Sequence, residues 1–169
     1  MKTICSIRKM QESNIQDLSR GFISQGWPSR EDILTRYFKE QESGEREVLV
    51  AEVEGAVAGY ITILPDAKQG PFAGMAPELS DFNVFEPFQN QGIGNLLLEE
   101  AEKRVRLISD KVTLGVGLHS GYGPAQRLYI KRGYIPDGTG VWYQNHQPAM
   151  NAVCEDIGEL VLYLSKNLF

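Results

Sequence analysis

At 169 residues, 42% of them hydrophobic, the chain is long enough for one domain with a sizeable core and too apolar to be disordered. A formal net charge of −5 argues against a large basic nucleic-acid surface, and it suits a cationic small substrate slightly better than an anionic one. Only Cys5 and Cys154 are present, which excludes a disulfide framework and a cysteine metal quartet.

The opening Met1–Arg8 segment lacks an extended apolar run, and no stretch approaches the roughly 20 apolar residues of a membrane span. No signal peptide is therefore expected, and the setting is expected to be soluble, reducing and cytoplasmic, with no membrane partner. Thr3–Arg8, with Ile4 and Ile7, predicts a short opening strand. Glu12-Ser13-Asn14 offers helix N-cap chemistry. Ile15, Leu18, Phe22 and Ile23 then recur at helical spacing, and Gly26 ends the run. After the Trp27-Pro28-Ser29 turn, Ser29 through Asp32 resembles a capping start. Ile33, Leu34, Tyr37 and Phe38 mark a second helix that closes near Gly44.

Glu47–Val53 and Ala56–Leu64 predict a hairpin turned at Glu54-Gly55. The Pro65–Pro77 segment is a loop, rich in glycine and proline at Gly70, Pro71 and Gly74. It is long for a compact domain, which makes it a candidate active-site loop. Leu79–Phe85 is strand-like. Gln89-Asn90-Gln91-Gly92-Ile93-Gly94 is a tight glycine turn, and Asn95–Arg104 is rich in strong helix formers. Lys111–Leu118 is apolar on both faces, as a central strand should be. His119–Gly123 is a glycine-rich turn, and a helix follows from Pro124 to just before Gly133. Val141-Trp142-Tyr143 and Leu160–Leu164 predict two closing strands on either side of a polar, irregular Gln144–Pro148 stretch. The result is one mixed domain of strands and helices over residues 1–169.

The strand–turn–helix around Gly92 carries the first chemical signal. The first turn of a helix has N–H groups with no intrahelical partner, and glycine lets a ligand approach the backbone there. An anion such as a pyrophosphate fits such a place. Read alone, Gly92-Ile93-Gly94 is a weak signal, since a tight strand-to-helix turn with no ligand has the same form. Leu97 stands where a dinucleotide fingerprint needs its third glycine, and the Gly-Lys-Ser/Thr ending of an NTPase loop is absent.

A second segment, Ala125-x-x-Leu128-Tyr129-x-Lys131-x-Gly133-Tyr134, follows the next strand about thirty residues on. Together with Gln89-x-x-Gly92-x-Gly94 it resembles the GNAT superfamily of N-acetyltransferases, whose signature pairs an Arg/Gln-x-x-Gly-x-Gly/Ala turn with an Ala-x-x-Leu-Tyr-x-Lys-x-Gly-Phe helix end. The order of elements is similar over nearly the whole length. The resemblance implies an α+β fold, with a mixed, mostly antiparallel sheet of about seven strands splayed in the middle and flanked by about four helices.

It further implies that acetyl-CoA is the co-substrate and that no metal takes part. Its pyrophosphate would lie on the Gln89, Asn90, Gln91, Gly92, Ile93, Gly94 and Asn95 turn, and its pantetheine arm beside Phe82, Asn83 and Val84. An oxyanion would be held by a backbone N–H near Val84. Tyr129 matches the family tyrosine that often protonates the leaving thiolate. Glu78, fourteen residues before Gly92, stands where some members carry a catalytic glutamate, and is equally a solvated carboxylate at a loop end. Regular alternation would put Glu78, Ser80, Phe82 and Val84 on one face of the strand and Asp81 on the other. Trp27, Phe72, Trp142 and Tyr143 fall where the family's acceptor loops and late strands fall, although large aromatics are more often core, and His119 either lines the cleft or simply ends a strand.

Tyr122 replaces the asparagine often found seven residues before the tyrosine, and Gln89 replaces the usual arginine of the turn. Gly117-Leu118-His119-Ser120-Gly121 is not a nucleophile elbow, and two histidines argue against a histidine metal site. The expected partner is a small-molecule or peptide amine rather than a nucleic acid, and many relatives are homodimers. A non-catalytic acyl-CoA-binding module on the same fold is the alternative.

Overall fold

The computed structural model describes residues 4–169. The elements follow in the order β1 (Cys5–Lys9), α1 (Asn14–Ser24), α2 (Glu31–Ser43), β2 (Glu47–Val53), β3 (Ala56–Leu64), β4 (Glu78–Val84), α3 (Ile93–Val105), β5 (Lys111–Gly117), α4 (Gly123–Lys131), β6 (Ile135–Tyr143) and β7 (Leu160–Asn167). Short 3-10 turns occupy Glu86–Phe88 and Ser120–Tyr122. This is the expected α+β order, and the seven strands form a mostly antiparallel sheet in the order β1-β2-β3-β4-β5-β7-β6. The chain divides into two compact units, Met1–Leu64 with Ser80–Arg104, and Pro65–Leu79 with Val105–Phe169.

The first unit is organised by the β2–β3 hairpin. Glu54 and Gly55 both take positive φ, 50° and 85°, as a two-residue hairpin turn demands. β1 adds antiparallel to β2, with Ile7 opposite Ala51. Thr3, where the opening strand was expected to begin, lies outside the described residues. The apolar face of α1 (Ile15, Leu18, Phe22) and Leu34 and Tyr37 of α2 cluster with Val48, Val50, Tyr60 and Phe85. Gly26 (φ 80°) ends α1 in a left-handed step. The N–H of Trp27 then returns to the Phe22 carbonyl at 3.0 Å, and that of Gly26 to Ile23 at 3.0 Å, the bonding of a Schellman stop.

The start of α1 differs from expectation. Ser13 sits in helical backbone and makes no capping bond. The Asn14 Oδ1 instead accepts from the Gln11 N–H and from Arg8 Nη1, both at 2.8 Å, because an asparagine carbonyl is as good a local acceptor as a serine hydroxyl.

In the second unit β5 pairs antiparallel with β7, Leu114 opposite Leu164, and β7 with β6. Val112, Leu114, Val116, Tyr134 and Leu164 are buried. β6 is six residues longer at its start than the sequence predicts. Pro136, Gly138 and Gly140 read as strand breakers, yet β6 ends the strand order, where proline costs no ladder bond. The register slips between Pro136 and Val141, and Gly138 and Gly140 take φ of 94° and 76° in that bulge. No helix among the described residues is long and apolar enough to cross a membrane.

Candidate functional site

In the first unit, β4 from Ser80 onward runs through the Glu86–Phe88 turn into the Gln89–Gly92 loop and then α3. The loop is anchored at its entrance. Phe85 is buried, packs edge-on to Phe22 at 5.1 Å, and donates its N–H to the Ala58 carbonyl at 2.8 Å. The exit is anchored by Ile93, Leu97 and Leu98, which are buried. The leucine that displaces the third fingerprint glycine is thus a core residue of α3.

Between these anchors the side chains turn back on their own loop. Gln89 Nε2 donates to the Val84 carbonyl at 2.9 Å, and Gln91 Nε2 to that of Pro87 at 3.1 Å. Asn90 (φ 60°) and Gly92 (φ 82°) both adopt the left-handed conformation, and Gln91 and Gly92 are exposed. A Cβ on Gly92 would meet no protein atom within 4 Å, so the space over the turn is open. Backbone that alternates into the left-handed region makes a concave surface of N–H groups, and a helix start adds its positive dipole end. The turn therefore fits an anionic diphosphate. Neither lysine nor arginine occurs from Glu78 to Leu98, so what this segment offers an anion comes from its peptide groups.

β4 departs from the expected alternation. Asp81 takes φ 49°, so Glu78, Ser80, Phe82 and Val84 do not share one face of a regular strand. β3 comes very close to the strand just beyond: a Cβ on Gly59 would lie 2.3 Å from the Asn83 carbonyl oxygen, which only glycine avoids. The Asp81 carboxylate receives Arg30, Tyr37 and Asn83. The sequence reading missed Arg30, Tyr37 and Tyr60 as site-shaping residues. The available signal was a carboxylate inside a strand whose neighbours are uncharged. Trp27 is exposed at the end of α1.

The second unit holds the remaining candidates. Tyr129 of α4 is buried, with its ring edge-on to the fully buried Tyr134 at 6.0 Å. Burial pushes its hydroxyl well above the ordinary tyrosine range. Glu78 starts the short parallel ladder opposite Thr113. Thr113 fixes this start by donating both its N–H (3.0 Å) and its hydroxyl (2.8 Å) to the Pro77 carbonyl. The hydroxyl of Tyr163 is raised by burial and then by the negative charge of Glu78. Trp142 packs edge-on to Tyr163 at 5.8 Å and donates its indole N–H to Thr139 at 2.8 Å.

His119 is exposed and caps the following 3-10 turn, its Nδ1 accepting from the Gly121 N–H at 2.9 Å. Phe72 is half-buried in the Pro65–Pro77 loop, which is closed by bonds from Ala67 N–H to Ala76 and from Gly74 N–H to Ala67, both 2.9 Å. Tyr122 lies against Gly117, where a Cβ would come within 2.5 Å of its ring. Among the described residues no group of three or more His, Cys, Asp or Glu side chains gathers as a metal site would.

The raised tyrosines fix the sign of an alkaline transition. Tyr60, Tyr129 and Tyr163 hold their protons to higher pH in the folded chain than in the unfolded chain, mainly through burial. Above about pH 10 the unfolded state binds fewer protons, so stability present at neutral pH is lost as pH rises. Thermal unfolding should show Tm nearly constant from about pH 7 to about pH 9 and falling by about pH 11. A flat Tm over that range, with tyrosinate absorbance developing in the folded protein, would contradict it.

Comparison with known proteins places these features in context. The model of a family described as an acetyltransferase (GNAT) domain matches residues 44–136, from just before β2 into β6. No curated protein matches the sequence. Among solved structures, an N-acetyltransferase from Staphylococcus aureus Mu50 is 14% identical with a TM-score of 0.74, covering 99% of this chain and 100% of that one. A GNAT-family protein from Desulfovibrio desulfuricans is 16% identical with a TM-score of 0.74, covering 98% of this chain and 100% of that one. The yncA protein of Salmonella typhimurium, with its cofactor acetyl-CoA, is 19% identical with a TM-score of 0.69, covering 98% of this chain and 94% of that one. At these identities the solved structures establish the fold.

Proposed function

The chain belongs to the GNAT acetyltransferase family, and from that premise we propose that it transfers the acetyl group of acetyl-CoA directly to a primary amine. The observation that carries this reading is the turn between β4 and α3, with Asn90 and Gly92 left-handed, exposed backbone, and open space above Gly92. The presence of acetyl-CoA with the Salmonella typhimurium protein supports the choice of co-substrate.

In the proposed mechanism acetyl-CoA supplies a thioester carbonyl of high acyl-transfer potential. The backbone N–H groups of Gln91, Gly92, Ile93, Gly94 and Asn95 hold the diphosphate, and Gln89 and Asn90 shape the loop that presents them. The backbone of Phe82, Asn83 and Val84 pairs with the pantetheine amides as an added strand would. A backbone N–H near Val84 stabilises negative charge as it develops on the carbonyl oxygen. Glu78, directly or through a water, accepts the amine proton, since an alkyl amine of pKa near 10.4 is protonated at neutral pH. Tyr129 donates to the departing sulfur. Burial keeps its phenol protonated across the neutral range. The same burial makes full transfer to a thiolate of pKa about 8.5 uphill, so a hydrogen bond in the transition state carries much of the effect. Trp27, Phe72, His119 and Trp142 contribute to acceptor binding.

The test is an amine-library screen with acetyl-CoA that follows free thiol and acetylated product. At least one amine should be acetylated. Tight acetyl-CoA binding with no acetylated amine would favour a non-catalytic acyl-CoA-binding module, and absence of acetyl-CoA binding would remove both readings.

A further inference from the structure

β4 carries a kink that the proposed mechanism does not itself explain. Asp81 stands at φ 49° in mid-strand, a conformation that L side chains adopt only at a cost in free energy. Its carboxylate is surrounded. Arg30 donates in a bidentate fork, Nη1 to Oδ1 at 3.0 Å and Nη2 to Oδ2 at 2.8 Å. The Tyr37 hydroxyl donates to Oδ2 at 2.9 Å, and Asn83 Nδ2 donates to Oδ1 at 2.9 Å. Arg30 also donates to the Tyr60 hydroxyl and lies 5.2 Å over the Phe22 ring. One residue earlier the Ser80 carbonyl accepts the Thr62 hydroxyl at 2.7 Å, and Thr62 in turn receives Arg46 at 2.7 Å. The strand is thus held by polar bonds at Ser80, Asp81 and Asn83 in succession.

Such a cluster is poorly explained by stability alone. Withdrawing an arginine and an aspartate from water offsets most of the attraction between them, so ion pairs at this depth add little net stability but fix geometry strongly. Here the geometry fixed is one backbone dihedral. A single left-handed residue interrupts the period-two alternation and re-aims the N–H and C=O groups that follow it.

We propose that Asp81 is a positioning residue for acetyl-CoA: Arg30, Tyr37 and Asn83 hold its carboxylate so that the kink persists, and the kink aims the Phe82–Val84 backbone at the pantetheine arm. This rests on the reading above that acetyl-CoA lies along β4. Arg30, at the start of α2, and Tyr37 within it, make α2 the support of the cofactor strand.

Two measurements on the full chain test the assignment. The first needs no cofactor. In Asp81→Ala, amide hydrogen exchange at Phe82, Asn83 and Val84 should quicken at least about tenfold, while that of Val48–Ala51 in β2 stays as in the wild type. The second is calorimetric titration with acetyl-CoA. Asp81→Ala should bind about tenfold more weakly, and Asp81→Asn within about threefold of wild type, because asparagine tolerates left-handed backbone and keeps the Oδ1 acceptor. Should Asp81→Ala not fold, Tyr37→Phe, which removes one of the four bonds, should weaken binding about threefold. Wild-type affinity in Asp81→Ala, or in Tyr37→Phe if that is the folded variant, overturns the assignment, as does faster exchange spread evenly over β2, β3 and β4. Failure of the wild type itself to bind acetyl-CoA overturns the cofactor reading and this assignment with it. Wild-type binding with unaffected variants overturns this assignment alone.

Discussion

Gly92→Val should give a folded protein that binds coenzyme A at least about thirtyfold more weakly than the wild type. Two costs combine. Gly92 has φ 82°, where a β-branched residue is strained by roughly 1–3 kcal/mol. If the loop keeps its shape under that strain, the new side chain enters the open space above the turn, since no protein atom lies within 4 Å of its Cβ. If the loop relaxes, the N–H groups on either side rotate away from a common centre. Either outcome lowers affinity for the diphosphate, while the buried anchors at Phe85, Ile93 and Leu97 are untouched. Calorimetry with coenzyme A and circular dichroism together decide the matter. A native spectrum with unchanged affinity would show that the anion does not sit on this turn.

Tyr129→Phe is expected to lower kcat by about a hundredfold, the lower range for loss of a positioned proton donor, and to leave the acetyl-CoA Kd within about twofold. The substitution removes only the hydroxyl. The ring remains buried and can keep its edge-on contact with Tyr134. Steady-state turnover with any accepted amine, set beside direct titration with acetyl-CoA, separates the two quantities. Unchanged turnover would take Tyr129 out of the mechanism. Equal losses in turnover and affinity would make it a packing residue of α4.

The order of elements was legible because each long helix and strand carries its own period. Ile15, Leu18 and Phe22 mark a helix face, and Glu54-Gly55 marks a hairpin, whatever surrounds them. The glycine turn was legible for the same reason, since Gly92 and Gly94 lie within six residues of Gln89 and need no distant partner to be recognised. What could not be read were features set by residues far apart in the chain. Pro136 and Gly138 argue against a strand until β7 supplies the ladder and the edge position tolerates them. Asp81 reads as a residue on the opposite face of a regular strand until Arg30, 51 positions away, grips its carboxylate at a left-handed kink. His119 invites a chemical role in sequence, while in the fold its Nδ1 is engaged by the Gly121 N–H. Local backbone preferences are written in neighbouring residues, but side-chain orientation depends on the tertiary contact that pays for it.

The absence of lysine and arginine between Glu78 and Leu98 has a consequence for an enzyme that acylates amines. A phosphate grip built on ammonium groups would set nucleophiles beside the donor it holds, and each could be consumed by stray transfer. Peptide N–H groups do not react in this way, carry no titratable charge and cannot be neutralised by acylation. Under the proposed function, this part of the grip cannot be silenced by the product of its own chemistry, however high the acyl-donor concentration rises.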